Sequence, residues 1–461
     1  MQSLDALPAW KLVGLFASKQ LSPVEYVSYC LGRIDADDPM IRAFITVAAD
    51  SALADARRVE AAIASAEPLT PLAGIPVAVK DEVWTKGIRS TAGSLLFQDF
   101  VPDADGAVIQ RLREAGAVMI GKTNMPEFAS FPLSHNDIAG ACVNPRDHSR
   151  ISGASSGGSA AALAAGMAPL AIGSDGGGSI RIPSALCGVI GLFPTPGLVP
   201  ARGSFSYSPY ASLGPMGRDV RDVALLLQAL AGHDPLDPTS LSAARVDYLT
   251  GLDDGVRGLR IAWTPDYGHV EFADPRVRDL PRQAALALEQ AGAIVSEPGF
   301  TIEDTFETMA VITGGAGKYS DRPAPYVQTG DVTGRIAQHP ELLSPHLRDR
   351  AEIAPERYQR AAESRDRLRA RLDGLFSRYD VILSPTMAEV APAVPDGWLD
   401  PYARHDMGTT FTSLVNITEN CAASVPCGQV DGLPVGVQVI GPRLHEARVL
   451  KVCRVLEQVL A

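Results

Sequence analysis

Two long stretches of this chain, residues 151–174 and 182–201, carry no charged side chain at all. Twenty uncharged residues are enough to cross a bilayer, so each stretch belongs in a membrane or in a protein core. Both are broken by Gly, Pro and Ser, which would leave backbone polar groups facing lipid. The interior of a large folded enzyme is the expected setting. Asp175 and Arg181 are the only charges between Ile151 and Ala201. Two Ser/Gly clusters lie in this region, Ser152-Gly-Ala-Ser-Ser-Gly-Gly-Ser159 and Gly173-Ser-Asp-Gly-Gly-Gly-Ser179. Glycine lets backbone N–H groups approach a ligand closely. Converging N–H donors are what a carbonyl needs as it becomes an oxyanion, and each cluster also supplies hydroxyls. The pairing points to acyl transfer.

The length of 461 residues would suggest two or three domains. No linker, repeat or low-complexity segment divides the chain, so one large domain over 1–461 is expected, with an irregular, variable substrate-side segment around 303–350. Long irregular segments in compact domains commonly form lids or binding loops. The net charge of −12 disfavours nucleic acid and anionic membranes as partners. The first residues hold no basic run followed by an apolar one, since Asp5, Lys11 and Lys19 interrupt; a cytoplasmic protein is expected. The six cysteines form no CxxC pair and are expected as buried thiols. The Asn416-Ile-Thr418 sequon carries no weight without a secretory signal.

Hydrophobic periodicity gives alternating helices and strands. Ser22 and Pro23 open a helix over 23–35, with Glu25 as its capping-box partner. Further helices are expected at 50–66, 105–115, 156–165, 180–187, 220–231, 277–291, 355–378 and from about 445. Strands are expected at 76–80, 117–120, 170–173, 189–193, 259–263, 381–384 and 435–440. The class is α/β: a mixed, mostly parallel twisted sheet flanked by helices on both faces.

Two short motifs mislead. Gly116-Ala-Val-Met-Ile-Gly-Lys-Thr123 fits the phosphate-loop pattern, but its middle is apolar and strand-like where a flexible loop is required. Gly153-Ala-Ser-Ser-Gly157 fits the nucleophile elbow of α/β-hydrolases, which needs a preceding strand and a later histidine. Residues 144–150 read as loop, and His339, His346, His405 and His445 lie in polar surroundings.

Ser155, Ser179 and Lys80 taken together resemble the amidase signature family. The resemblance runs through Gly74-Ile-Pro-Val-Ala-Val-Lys-Asp81, Lys122-Thr-Asn-Met-Pro-Glu-Phe128, both Ser/Gly clusters, Gly214-Pro-Met216 and Asp431-Gly-Leu-Pro-Val-Gly-Val-Gln438. It implies the amidase signature fold and a Ser–cis-Ser–Lys triad. In it Ser179 is the nucleophile, Ser155 the bridge on a cis peptide after Ala154, and Lys80 the base. A serine needs a neighbour to take its proton, and a lysine does so only when burial keeps it neutral. The same resemblance implies an oxyanion hole from Gly176, Gly177, Gly178 and Ser179, assisted by the helix opening at Ile180. By analogy it places Ala129, in the Thr123–Ser130 segment with Met125, on the acyl side of the pocket, with plain packing as the alternative; the apolar, Tyr-bearing stretch 205–210 adds Tyr207 as a substrate-binding candidate. Asp175 and Arg181 either lock the glycine loop or form an ordinary ion pair. Ser156 and Ser159 fit helix capping. The sequence departs from the family pattern at Phe193, at Gly176 and over Asn416-Ile-Thr-Glu-Asn-Cys421.

The expected activity is a metal-free, cofactor-free serine hydrolase cleaving amide C–N bonds through an acyl-enzyme. Its expected substrates are small molecules: bulky or aryl amides, carbamates (urethanase-like) or esters. No membrane partner is expected, and a homodimer is allowed for. The alternative is the amidase component of a tRNA-dependent amidotransferase complex, although Ser134-His-Asn-Asp137 does not look like that component. Two readings rank lower: a Ser-His-Asp hydrolase, and a binding protein with a degenerate site.

Overall fold

The computed structural model describes residue 4, residues 7–205, 208–243, 245–315, 334–335, 338–344, 347, 353–394 and 408–460. Tyr207 and most of the 316–350 part of the expected substrate-side segment lie outside the described residues.

Eleven strands form one sheet: β1 (Phe44–Val47), β2 (Pro76–Lys80), β3 (Val118–Thr123), β8 (Leu170–Asp175), β9 (Ile190–Phe193), β10 (Ser212–Gly217), β11 (Arg260–Trp263), β12 (Ile294–Ser296), β13 (Val381–Pro385), β14 (Cys421–Val430) and β15 (Leu433–Gly441). The short strands β4 (His135–Asn136), β5 (Gly140–Ala141), β6 (Val143–Asn144) and β7 (Asp147–Ile151) make two small ribbons. The sheet order is β1-β3-β2-β8-β10-β9-β14-β15-β13-β11-β12. The sheet draws its strands from Phe44 to Gly441.

The sheet is mixed, as expected, but its parallel part is narrower than expected. Parallel pairing is confined to β3-β2-β8 and β13-β11-β12. The other neighbours run antiparallel. One cause is local. Asp431 and Gly432 both take positive φ, 51° and 81°, the backbone of a two-residue hairpin turn. That turn folds β14 straight back on β15.

The first long helix, Pro23–Ile41, begins where expected: the Ser22 hydroxyl accepts from the N–H groups of Val24 and Glu25. It continues past residue 35 and through Pro39, ending with Ile41 buried. Local breaking propensity is weak beside such packing. β3 is buried along its whole length, which settles the phosphate-loop pattern. Gly121, Lys122 and Thr123 are strand, and Lys122 Nζ is turned inward onto the Val83 carbonyl and the Ser90 hydroxyl.

The uncharged stretches are core. Helix Gly157–Ala164 is buried for seven of its eight residues, and β8, β9 and helix Arg181–Cys187 are buried throughout or nearly so. Among the described residues no helix is long and apolar enough to cross a membrane. All six cysteines are buried thiols, as expected. β2 and β8 lie side by side and parallel, Val79 opposite Ile172, so their carboxyl ends share one edge. Ligands in α/β sheets commonly bind beyond such ends.

Candidate active site

Lys80 is the last residue of β2 and is fully buried. Its Nζ donates to Ser155 Oγ at 2.7 Å and to Ser174 Oγ at 2.8 Å. Burial drives its pKa below the ordinary lysine value, against the opposing pull of the Glu82 and Asp175 carboxylates. Ser155 follows a cis peptide bond after Ala154 and is 1% exposed. Ser179 sits in the turn after β8, and its hydroxyl bonds no other described residue. It is also only partly buried. The two serine loops are tied together by the Ser156 N–H donating to the Ser179 carbonyl at 3.1 Å. The structure thus brings Lys80 and Ser155 into contact and joins Ser179 to that loop through its backbone, without a hydrogen bond from its hydroxyl to either.

Asp175 folds the glycine loop. Its Oδ1 accepts from the Gly178 N–H at 2.7 Å, and its Oδ2 from the N–H groups of Ile180 and Arg181 at 3.2 and 3.4 Å. Arg181 grips the same carboxylate through Nε at 2.9 Å and a terminal nitrogen at 3.0 Å. Both side chains are fully buried, so this is no ordinary surface pair. Burial opposes the charged carboxylate, yet Arg181, Asn416 and the Gly178 N–H together hold it below the usual aspartate range. With its N–H spent on Asp175, Gly178 shapes the loop. The N–H groups of Gly176, Gly177 and Ser179 bond no other described residue.

Gly178 is fixed by geometry. Its φ is +122°, and a Cβ there would lie 2.2 Å from Thr412 Oγ1, the hydroxyl that donates to the Gly177 carbonyl at 2.6 Å. Gly178→Ala should therefore cost stability, on the order of 1–3 kcal/mol, and lower kcat with it. Urea unfolding and steady-state kinetics would check both; a variant equal to the wild type in both would show the loop to be pliable.

Several partners escape sequence reasoning. Ser174 holds Lys80 from within the strand. Arg181 also donates to the Thr412 carbonyl at 3.0 Å, to Gln438 Oε1 at 2.7 Å and to Asn416 Oδ1 at 2.6 Å, and its guanidinium lies 5.0 Å from the centre of the Phe193 ring. Phe193, a departure from the family pattern, and Asn416, which opens the segment where the pattern next departs, thus both surround Arg181. Asn420 donates to the Gly441 carbonyl at 3.3 Å, away from this cluster. Ser156 and Ser159 do not cap helix Gly157–Ala164 through their side chains. Their hydroxyls bond the Ser174 and Ile172 carbonyls at 3.1 and 2.9 Å, because the helix lies flat on β8 and buried hydroxyls need acceptors.

Met125 is fully buried; Ala129 is partly exposed and takes φ +58°, beside Phe128 at +47°. Glu127 between them accepts from Ser94 Oγ at 2.5 Å and from the Ser344 N–H at 2.9 Å, tying the described tail of the irregular segment to this turn. The Phe205 ring meets Phe97 tilted at 4.9 Å and Phe128 edge-on at 6.4 Å.

The nucleophile-elbow reading fails on partners. Residues 147–151 are strand, not loop, but in a two-stranded ribbon apart from the main sheet. Ser155 is bonded by a lysine. His339 and His445 approach Glu341 and the Arg443 carbonyl at 3.3 and 2.8 Å, and His346 and His405 lie outside the described residues.

Residues 25–450 match the sequence profile of the family described as Amidase. The chain belongs to that family. This amidase acts on carbon–nitrogen bonds. It is 36% identical to a glutamyl-tRNA(Gln) amidotransferase subunit of Moorella thermoacetica, over 98% of this chain and 96% of that one. Against the corresponding subunit of a Picosynechococcus species it is 38% identical over 96% of each chain. Among solved structures, a bacterial aryl acylamidase of the amidase signature family superposes with a TM-score of 0.86 at 29% identity, covering 98% of this amidase and 96% of that chain.

Proposed function

We propose that this amidase works through an acyl-enzyme on Ser179, with Lys80 as base and Ser155 as the bridging hydroxyl. The observation that carries this is a fully buried lysine held 2.7 Å from Ser155, where burial favours its neutral form. The amine takes the Ser155 proton as Ser155 takes that of Ser179, and Ser179 Oγ attacks the carbonyl carbon. The N–H groups of Gly176, Gly177 and Ser179 face the developing oxyanion. The proton returns through Ser155 to the leaving nitrogen as the C–N bond breaks. Water then repeats the sequence on the ester. Ser179→Ala is expected to abolish covalent labelling by a fluorophosphonate. Loss of labelling in Ser155→Ala but not in Ser179→Ala would reverse the assignment.

For the acyl donor, the amidotransferase reading has the stronger support. Relatives that bear the glutamyl-tRNA(Gln) amidotransferase name align over almost the whole chain. On that reading the enzyme releases ammonia from a glutamine carboxamide and passes it to a partner protein. The second reading, hydrolysis of bulky or aryl amides, carbamates or esters without a partner, is supported by the aryl acylamidase likeness and by the ring cluster joining Phe205 to Phe128. A turnover screen over glutamine, a simple primary amide, acetanilide and an aryl carbamate separates them. Strict glutamine use, rising when a partner protein is added, supports the first; preference for acetanilide or the carbamate supports the second. Six buried thiols without a disulfide fit a reducing compartment such as the cytoplasm.

A further inference from the structure

Glu82 is a buried charge that the proposed mechanism leaves unused. It stands two residues beyond Lys80, at the carboxyl end of β2. Its Oε1 lies 3.6 Å from Lys80 Nζ, and both side chains are fully buried. Neither carboxylate oxygen has a hydrogen-bond donor among the described residues. The backbone there is anchored: the Phe205 N–H donates to the Glu82 carbonyl at 3.0 Å. A buried carboxylate without donors is costly unless a cation faces it. The basic group within ion-pair distance is the Lys80 nitrogen that also holds Ser155, which becomes that cation when it takes a proton.

The neighbouring charges are otherwise engaged. Asp81, next in the chain, turns to the Thr91 N–H at 2.9 Å and to the Gly93 N–H at 3.4 Å. Lys122, on β3, is held by the Val83 carbonyl, Thr85 and Ser90. It also feels Asp81, Glu82 and Asp105. Asp175, on β8, is gripped by Arg181. Glu82 is the acid among them that reaches Lys80 at ion-pair distance.

We infer that Glu82 is a positioning residue for acylation: its carboxylate faces the ammonium that forms on Lys80 and sets how strongly that nitrogen draws a proton. This rests on the reading of Lys80 as base. The proton leaves Ser179 Oγ as the Oγ–C bond forms and passes through Ser155 to Lys80. The ammonium then pairs with Glu82. When the C–N bond breaks, the proton returns through Ser155 to the leaving nitrogen. Glu82 takes up no atom and forms no bond in these steps.

Glu82→Gln keeps the shape and removes the charge. Without the carboxylate, Lys80 gives up its proton at lower pH and becomes a weaker base. The acidic limb of kcat/KM should move down by about 1 pH unit or more, and the plateau of kcat should fall on the order of tenfold with little change in KM. The same limb should shift in the rate of fluorophosphonate labelling at Ser179. Glu82→Leu, which fills the site with apolar volume, gives a second charge-free variant with the same expected shift, and Glu82→Asp should return the limb toward the wild type. An unmoved acidic limb in a folded charge-free variant overturns the inference, as does complete loss of labelling at every pH. Wild-type enzyme that is not labelled at Ser179 would instead overturn the Ser179 reading, so the two failures are distinct.

Discussion

Lys80→Ala is expected to lower kcat/KM for the preferred amide by roughly 10²- to 10⁴-fold, the range of a lost general base. The reason is geometric as well as chemical. Lys80 Nζ is the group that Ser155 bonds at 2.7 Å, and no described histidine is hydrogen-bonded to either serine to replace it. Stability is expected to fall as well, because the variant leaves a cavity and leaves the buried Glu82 carboxylate without the nitrogen that faces it. Circular dichroism should show a folded protein and a urea melt a lower midpoint than wild type. The pH dependence of the intact enzyme offers an independent check. Because burial lowers the Lys80 pKa, the neutral base exists below the ordinary lysine range, so activity rises through that lowered value and is lost in acid as the amine takes a proton. Near-normal turnover in Lys80→Ala would end the lysine-base account.

Arg181→Met should be the most destabilising single change near the site, by about 3–5 kcal/mol, since it leaves the Asp175 charge buried without its main partner. The sign with pH follows from the same pair. Asp175 is held below the usual aspartate range, so its contribution to stability is present above that range and is lost as pH falls through the folded value. The variant should lose that contribution and unfold at higher pH on acidification. Replacing both partners, as Asp175→Asn with Arg181→Met, should cost less than the two single changes added together, because they share one interaction. Additive effects measured in urea would show that the pair is not coupled. Activity should fall in each variant, since Asp175 orders the turn that carries Gly178 and Ser179.

The sequence made the strand bearing Lys80 legible because five buried residues end abruptly at a charge, and it made the glycine turn legible because small residues cluster there around a lone acid and a lone base. It could not reveal Ser174 as a lysine partner. A serine inside a strand carries no local sign of what lies across the sheet. Asn416, Thr412 and Gln438 were equally hidden, since their contacts with Arg181 or its loop span more than 230 positions. β14 was missed although its turn, Asp431-Gly432, carries the hairpin signal, because the run Cys421–Pro426 lacks polar alternation. It is buried nearly throughout on both faces, and alternation marks only half-buried strands. The parallel bias followed from reading alternating helices and strands as crossovers, a rule that tight hairpins escape.

Every residue assigned a chemical step lies before position 180, whereas Arg181's hydrogen-bond acceptors other than Asp175 arrive from beyond position 410. The reactive groups and the clamp that keeps them aligned are therefore written at opposite ends of the polypeptide. A fragment ending near residue 230 would contain the whole reaction set and lack the brace. Exchanging the last fifth of the protein with a relative would exchange the mould of its glycine turn as well.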